Sequence, residues 1–285
     1  MSGGDVARER NTGQVDSLRG DFVARREFYG DGARCNSFIT THAGGGGNTR
    51  FGHLIDNSNW LFGRAGSLLT ETGITCADYF ATVNGGPYVH YDGTTEYFSS
   101  ADAAWQEPTT NSFLVGGWVN AAAFAVGVNN NYIVSKFTTT GNQRSWGLSW
   151  NGGSGAFIFN CNALGTAAGN VSVSSSYNEQ LNSWYLVFGL FIPSSMMRIY
   201  VASPFDNDLT IDSLVVGVPA SLYDGTSGFA IGCRSPGVGA AEFWNGYIGM
   251  LLGRCGVSTA TIDGRLSVDD HVRRLWNETR QLYLA

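Results

Sequence analysis

From Gly85 onwards the chain repeats one pattern: a short run rich in β-branched and aromatic residues, then Gly, Asn, Ser or Pro. The turn residues recur about every 8–12 positions, the spacing of many short strands joined by tight connections. The runs are Ser112 to Asn120, Tyr132 to Phe137, Ser145 to Trp150, Ala156 to Cys161, Val171 to Ser174, Trp184 to Ile192, Arg198 to Ala202, Gly228 to Gly232 and Phe243 to Leu252. Ahead of them, Tyr88 to Tyr91 and Glu96 to Phe98 flank Asp92-Gly93-Thr94-Thr95, which reads as an Asp-Gly hairpin. No strand–helix alternation occurs, which excludes doubly wound and α/β-barrel folds. One helix is expected, capped by Ser267, with Asp269 and Asp270 in its first turn. Val268, Val272, Leu275 and Trp276 supply its apolar stripe, and Arg273, Arg274 and Arg280 are expected towards its negative end.

The first 84 residues have a different texture. Positions 1 to 34 balance six arginines against six acidic residues, and Gly44 to Gly47 is a tetraglycine that suits neither helix nor strand interior. This stretch is expected to be an arm and irregular extension that serves assembly, with the sandwich over 85–285. Arg25, Arg26 and Phe28 are its candidate partner contacts, the arginines through bidentate bonds to carboxylates.

Hydrophobic residues make up 43% of the 285 and charged ones 14%, ample for a core. The net charge is −6 and no basic run exists, so a nucleic-acid partner is not expected. Lys136 is the lone lysine among the 17 basic residues. The opening twenty residues lack an apolar core, so no secretory leader is expected, and no run suits a membrane span. Cys35, Cys76, Cys161, Cys233 and Cys255 form no C-x-x-C pair and read as buried thiols.

The phrases "YVHYDGTTEYFSS", "SFLVGGWVNA", "NSWYLVFGLF" with "MRIYVAS", "GFAIGCRS" with "FWNGYIGMLL", and "RLSVDDHVRRLWN" occur in this order. Together they resemble the concanavalin A-like, laminin-G-like jelly-roll domains found in bacteriophage virion proteins and lectins. The resemblance covers 85–285. It implies an all-β, two-sheet antiparallel sandwich with one short C-terminal helix. Ala202-Ser203 departs from the family's Asn-Gly after the "IYV" strand, which implies a longer loop there. Glu96 stands where the family's phrase has a closely spaced Asp, which weighs against an inherited calcium site.

Glycosidases on this fold carry carboxylates on alternate residues of one strand. Here Glu96 and Glu242 stand alone, so no catalytic residue is expected. Arg144, Trp146 and Trp150 alternate on one strand face; they are a candidate sugar platform, against the plainer reading as core. Asp206, Asp208 and Asp212 are the densest oxygen cluster, a candidate Ca2+ loop against the plainer reading as a solvated turn. His42, His53, His90 and His271 lack ligand spacing and read as structural. No cofactor is expected. The expected role is a non-enzymatic structural protein of a virus particle, either a capsid decoration or a tail or neck appendage of a tailed phage. It is made in the host cytoplasm, and its partners are other virion proteins, its own copies in a homo-oligomer and host-surface glycans. A free carbohydrate-binding lectin module is the alternative, and a glycoside hydrolase the remoter one.

Overall fold

The computed structural model describes residues 48–49, 69–74, 78–81, 87–102, 106, 109–123, 130–234, 236, 239–255, 257 and 267–284. Within them the strands are β1 (Asn48–Thr49), β2 (Leu69–Thr72), β3 (Tyr79–Ala81), β4 (Pro87–Asp92), β5 (Tyr97–Ser100), β6 (Phe113–Ala121), β7 (Asn130–Thr138) and β8 (Gln143–Asn151). They continue with β9 (Ala156–Gly165), β10 (Asn170–Ser174), β11 (Trp184–Ile192), β12 (Met196–Ala202), β13 (Thr210–Leu214), β14 (Phe229–Ile231) and β15 (Asn245–Cys255). One helix, α1 (Val268–Thr279), follows, and a 3-10 turn extends it over Arg280–Tyr283. Among the described residues no helix is long and apolar enough to cross a membrane.

Two antiparallel sheets result. Sheet A runs β1-β2-β5-β14-β7-β8-β9-β10 and sheet B runs β13-β12-β11-β6-β15-β4-β3. The expected sandwich is what forms. Between the sheets lies a core that includes Phe113, Val115, Trp146, Leu148, Phe159, Val187, Phe191, Ile199 and Trp244. At Gly189 the sheets come so close that an added Cβ would lie 2.4 Å from the Phe159 ring.

The outer face of sheet B is covered as well. Trp118, Leu186, Phe188, Leu190 and Tyr200 pack against Val268, Val272, Leu275 and Trp276 of α1 and against Tyr283. Polar bonds fix this docking: the Trp118 indole donates to Thr279 Oγ1 at 2.8 Å and the Trp276 indole to the Ser203 carbonyl at 2.9 Å. The Arg198 guanidinium meets both Asp269 oxygens at 2.6 and 2.7 Å, and the Tyr200 hydroxyl donates to the same carboxylate. Ser267 caps α1 by accepting from the Asp270 N–H at 3.1 Å. Arg273 and Arg274 lie mid-helix, paired with Asp208 and Glu278, whereas Arg280 sits at the C-terminal end of α1 as its C-cap, as expected.

Two expectations change, and one strand is added. The Asp92 turn is not a hairpin: β4 pairs with β3 and β15 in sheet B, whereas β5 pairs with β2 and β14 in sheet A. The chain turns a corner from one sheet to the other there. A boundary at residue 84 does not delimit the sandwich, because β1, β2 and β3 precede it and belong to the sheets. β13 was not legible, since "TIDSL" is a polar, half-exposed edge strand without a buried period. The loop after β12 does span seven residues, Ser203 to Leu209, as the missing Asn-Gly implied. Lys136 is wholly buried, its ammonium held by Asp102 and the Ser227 carbonyl. Cys161 and Cys233 are buried free thiols, and burial pushes both up, Cys233 to about 12.

Candidate functional site

The corner after β4 is built by one side chain. Asp92 accepts the N–H groups of Thr94, Thr95 and Glu96 at 2.7, 2.8 and 3.2 Å, and the hydroxyls of Thr94 and Thr95 at 2.6 and 2.8 Å. Burial would raise this carboxyl, but the bonds from Thr94 and Thr95 together outweigh it and hold it well below the usual range. Gly93 takes φ +76°, the left-handed conformation that the fold-back requires. The corner turns Glu96 back onto β4, where its Oε2 accepts from the Asp92 N–H at 2.6 Å.

The β3–β4 ladder supplies a second carboxylate. Tyr79 pairs with Val89, so the preceding position, Asp78, falls opposite His90. His90 Nδ1 lies 3.9 Å from Asp78 Oδ1 and 3.8 Å from Glu96 Oε2. Each of the three residues places a ligating atom within 4.8 Å of the others, the one such group among the described residues. The Asp78 and Glu96 side chains retain 16% and 12% exposure, and that of His90 36%. Burial raises the Glu96 carboxyl above its ordinary range, and the Asp78 charge adds to this.

Next to the carboxylates runs a row of rings. Tyr247 pairs directly with His90 across β15 and β4, with ring centroids 5.5 Å apart. Tyr88, two positions before His90 on the same face, meets Tyr247 at 5.0 Å and Trp184 at 5.5 Å. Tyr88 and Tyr247 are half-buried, while Trp184 is 7% exposed and anchors the row to Tyr283. Burial, then the nearby Tyr247, raises the Tyr88 phenol. In this row Asn120 pairs with Tyr247 on one side and Trp184 on the other. Its buried Oδ1 has no donor among the described residues. The arrangement offers flat apolar faces, hydrogen-bond acceptors and three ligating side chains within one patch.

The residues singled out from sequence fall elsewhere. Trp146 and Trp150 are 0% and 3% exposed and belong to the inter-sheet core, so they offer no face to a sugar. The alternation of β8 marked its buried side. Arg144 lies apart from them, bonded to Asn142 and the Gly165 carbonyl, beyond a β-bulge. Asp206 accepts from the Tyr177 hydroxyl and the Ser203 N–H, Asp208 pairs with Arg273, and Asp212 accepts from Ser176. Each tethers a different segment, and the three do not gather their oxygens around one point. Arg25, Arg26 and Phe28 lie outside the described residues. Conversely, from sequence alone His90 reads as structural and Glu96 as solitary, and nothing marks Asp78. Histidine, aspartate and glutamate at positions 90, 78 and 96 form no motif; only strand register and the corner unite them.

No protein-family model matches the chain, and no curated protein sequence matches it. Among solved structures, it superposes on the binding domain of Paraclostridial mosquitocidal protein 1 with a TM-score of 0.49 at 10% identity, over 77% of this chain and 52% of that one. For the botulinum neurotoxin serotype G binding domain the TM-score is 0.47 at 12% identity, over 76% and 49%. For the enzymatically active domain of tailspike protein 2 of bacteriophage CBA120 it is 0.47 at 13% identity, over 70% and 29%. The chain spans about half the length of the two toxin domains.

Proposed function

We propose that this chain is a non-enzymatic recognition module of a virus particle, and that it binds surface glycans on the outer face of sheet B. The observation that carries the binding reading is the pair of half-exposed rings, Tyr88 and Tyr247, set against the carboxylates of Asp78 and Glu96. The C–H faces of a pyranose stack on such rings, while carboxylate oxygens accept its hydroxyls. The virion setting rests on the laminin-G-like phrases and on the arginine-bearing N-terminal segment, whose Arg25, Arg26 and Phe28 would contact neighbouring subunits. On this reading the protein is a homo-oligomer docked on other virion proteins, without nucleic-acid or membrane partners.

The experiment is a glycan array probed with the full chain, Tyr88→Ala and Tyr247→Ala. A defined set of glycans bound by the wild type and lost in both variants supports the proposal. A wild-type chain that binds none, or variants that bind as it does, overturns it. The same glycans serve for the competing reading, which the closeness of Asp78 and Glu96 and the raised Glu96 carboxyl favour: retaining glycosidases hold two carboxyl groups about 5–5.5 Å apart. New reducing ends that disappear in Glu96→Gln would make the protein a hydrolase.

A further inference from the structure

We infer that Asp78, His90 and Glu96 form a binding site for a divalent transition-metal ion of the zinc class. The separations from His90 Nδ1, 3.9 Å to Asp78 and 3.8 Å to Glu96, are too long for hydrogen bonds. They are close to what a shared ion requires: metal–ligand bonds of about 2.0–2.2 Å in tetrahedral geometry put neighbouring donors about 3.4 Å apart. Side-chain rotations that shift the ligating atoms by a few tenths of an ångström would close the two gaps to His90, and the Asp78 and Glu96 ligating atoms lie within 4.8 Å of each other.

The supports of the site suit a ligand cluster. Glu96 is oriented by the Asp92 N–H and by the five bonds that lock the corner beneath it. Such outer contacts hold a ligating carboxylate in place before the ion arrives. Asp78 immediately precedes the first pair of the β3–β4 ladder, which places it opposite His90. Asp78 and Glu96 bring two partly buried carboxylates to the same imidazole, and a cation between them would offset their mutual repulsion.

The donor set selects the ion class. Calcium takes six to eight oxygens and has little use for an imidazole. One imidazole nitrogen with two carboxylate oxygens suits zinc and its neighbours, and leaves a coordination position for water or a ligand. This inference does not depend on glycan binding, so either can fail alone.

The test is a thermal melt and a calorimetric titration of the full chain, freed of metal with a chelator, against zinc, calcium and magnesium chlorides. Zinc is expected to raise the melting temperature and to bind with one-to-one stoichiometry, with calcium and magnesium much weaker. His90→Ala should weaken zinc binding by about tenfold or more. Asp78→Asn, which alters no bond of the corner, should weaken it as well, each variant keeping the wild-type circular dichroism spectrum. Absence of zinc binding in the wild type overturns the inference. So does equal zinc affinity in wild type and His90→Ala, or a calcium preference that survives loss of the imidazole.

Discussion

β10 and β11 follow one another in the chain, yet they answer to different surroundings. β10, the edge strand of sheet A, has Val173 buried and Val171 half-buried against the core, while Asn170, Ser172 and Ser174 face solvent. β11, inside sheet B, is buried at every position from Trp184 to Phe191. Its Tyr185, Val187 and Phe191 enter the inter-sheet core, and Trp184, Leu186, Phe188 and Leu190 pack on the other side, in the layer that α1 completes. A strand with one wet face alternates; a strand covered twice reads as a continuous apolar run. α1 is therefore a third layer of the structure. Without it the outer face of sheet B would expose a broad apolar surface.

Three measurements test that contrast. The largest effect belongs to Phe188→Ala, which removes a ring 1% exposed from the layer between β11 and α1. A loss of about 3–5 kcal/mol in denaturant unfolding is expected. A loss below about 1 kcal/mol would mean that α1 is only loosely docked.

The second concerns Glu179, on the segment that carries the chain from sheet A to sheet B. It is 7% exposed; Oε1 accepts from Ser175 Oγ and Oε2 has no partner among the described residues. Burial raises its carboxyl above the ordinary 4.5, ahead of the opposing bonds from Ser175 and Phe157. The native state therefore holds this proton more tightly than the unfolded chain does. Its contribution to stability is present below about pH 4.5 and is lost as pH rises through the native value. Glu179→Gln keeps the Oε1 acceptor and removes the titration. Its stability relative to the wild type should improve between pH 4.5 and pH 8, read from paired urea midpoints. A difference that does not change with pH sinks this account.

The smallest effect is expected at Ser172→Ala, on the solvent side of β10, within about 0.5 kcal/mol of the wild type. A larger loss would show that the outer face of sheet A is also a packed surface.

Much of the fold was legible because burial leaves a period in the sequence. The β11 run, the Ser267 cap, the acidic first turn and the apolar stripe of α1 are local facts, and local chemistry decides them. The same period misled where burial imitates function: Trp146 and Trp150 alternate because they face the core.

Local residue patterns set the character of each segment: which runs extend, which residues face inward and where one helix begins. Which strands become neighbours is settled by long-range packing. Asp92-Gly93 supports a tight turn in either setting, and the pairing of β4 with β15 and β5 with β14 turned it into a corner between sheets. "TIDSL" became β13 because β12 offered an open edge, and Asp78 met His90 because Tyr79 paired with Val89. The physical reason is common to all three. Periodicity records how deeply a residue is buried, whereas strand pairing is set by contacts between segments distant in the chain, which no local pattern encodes.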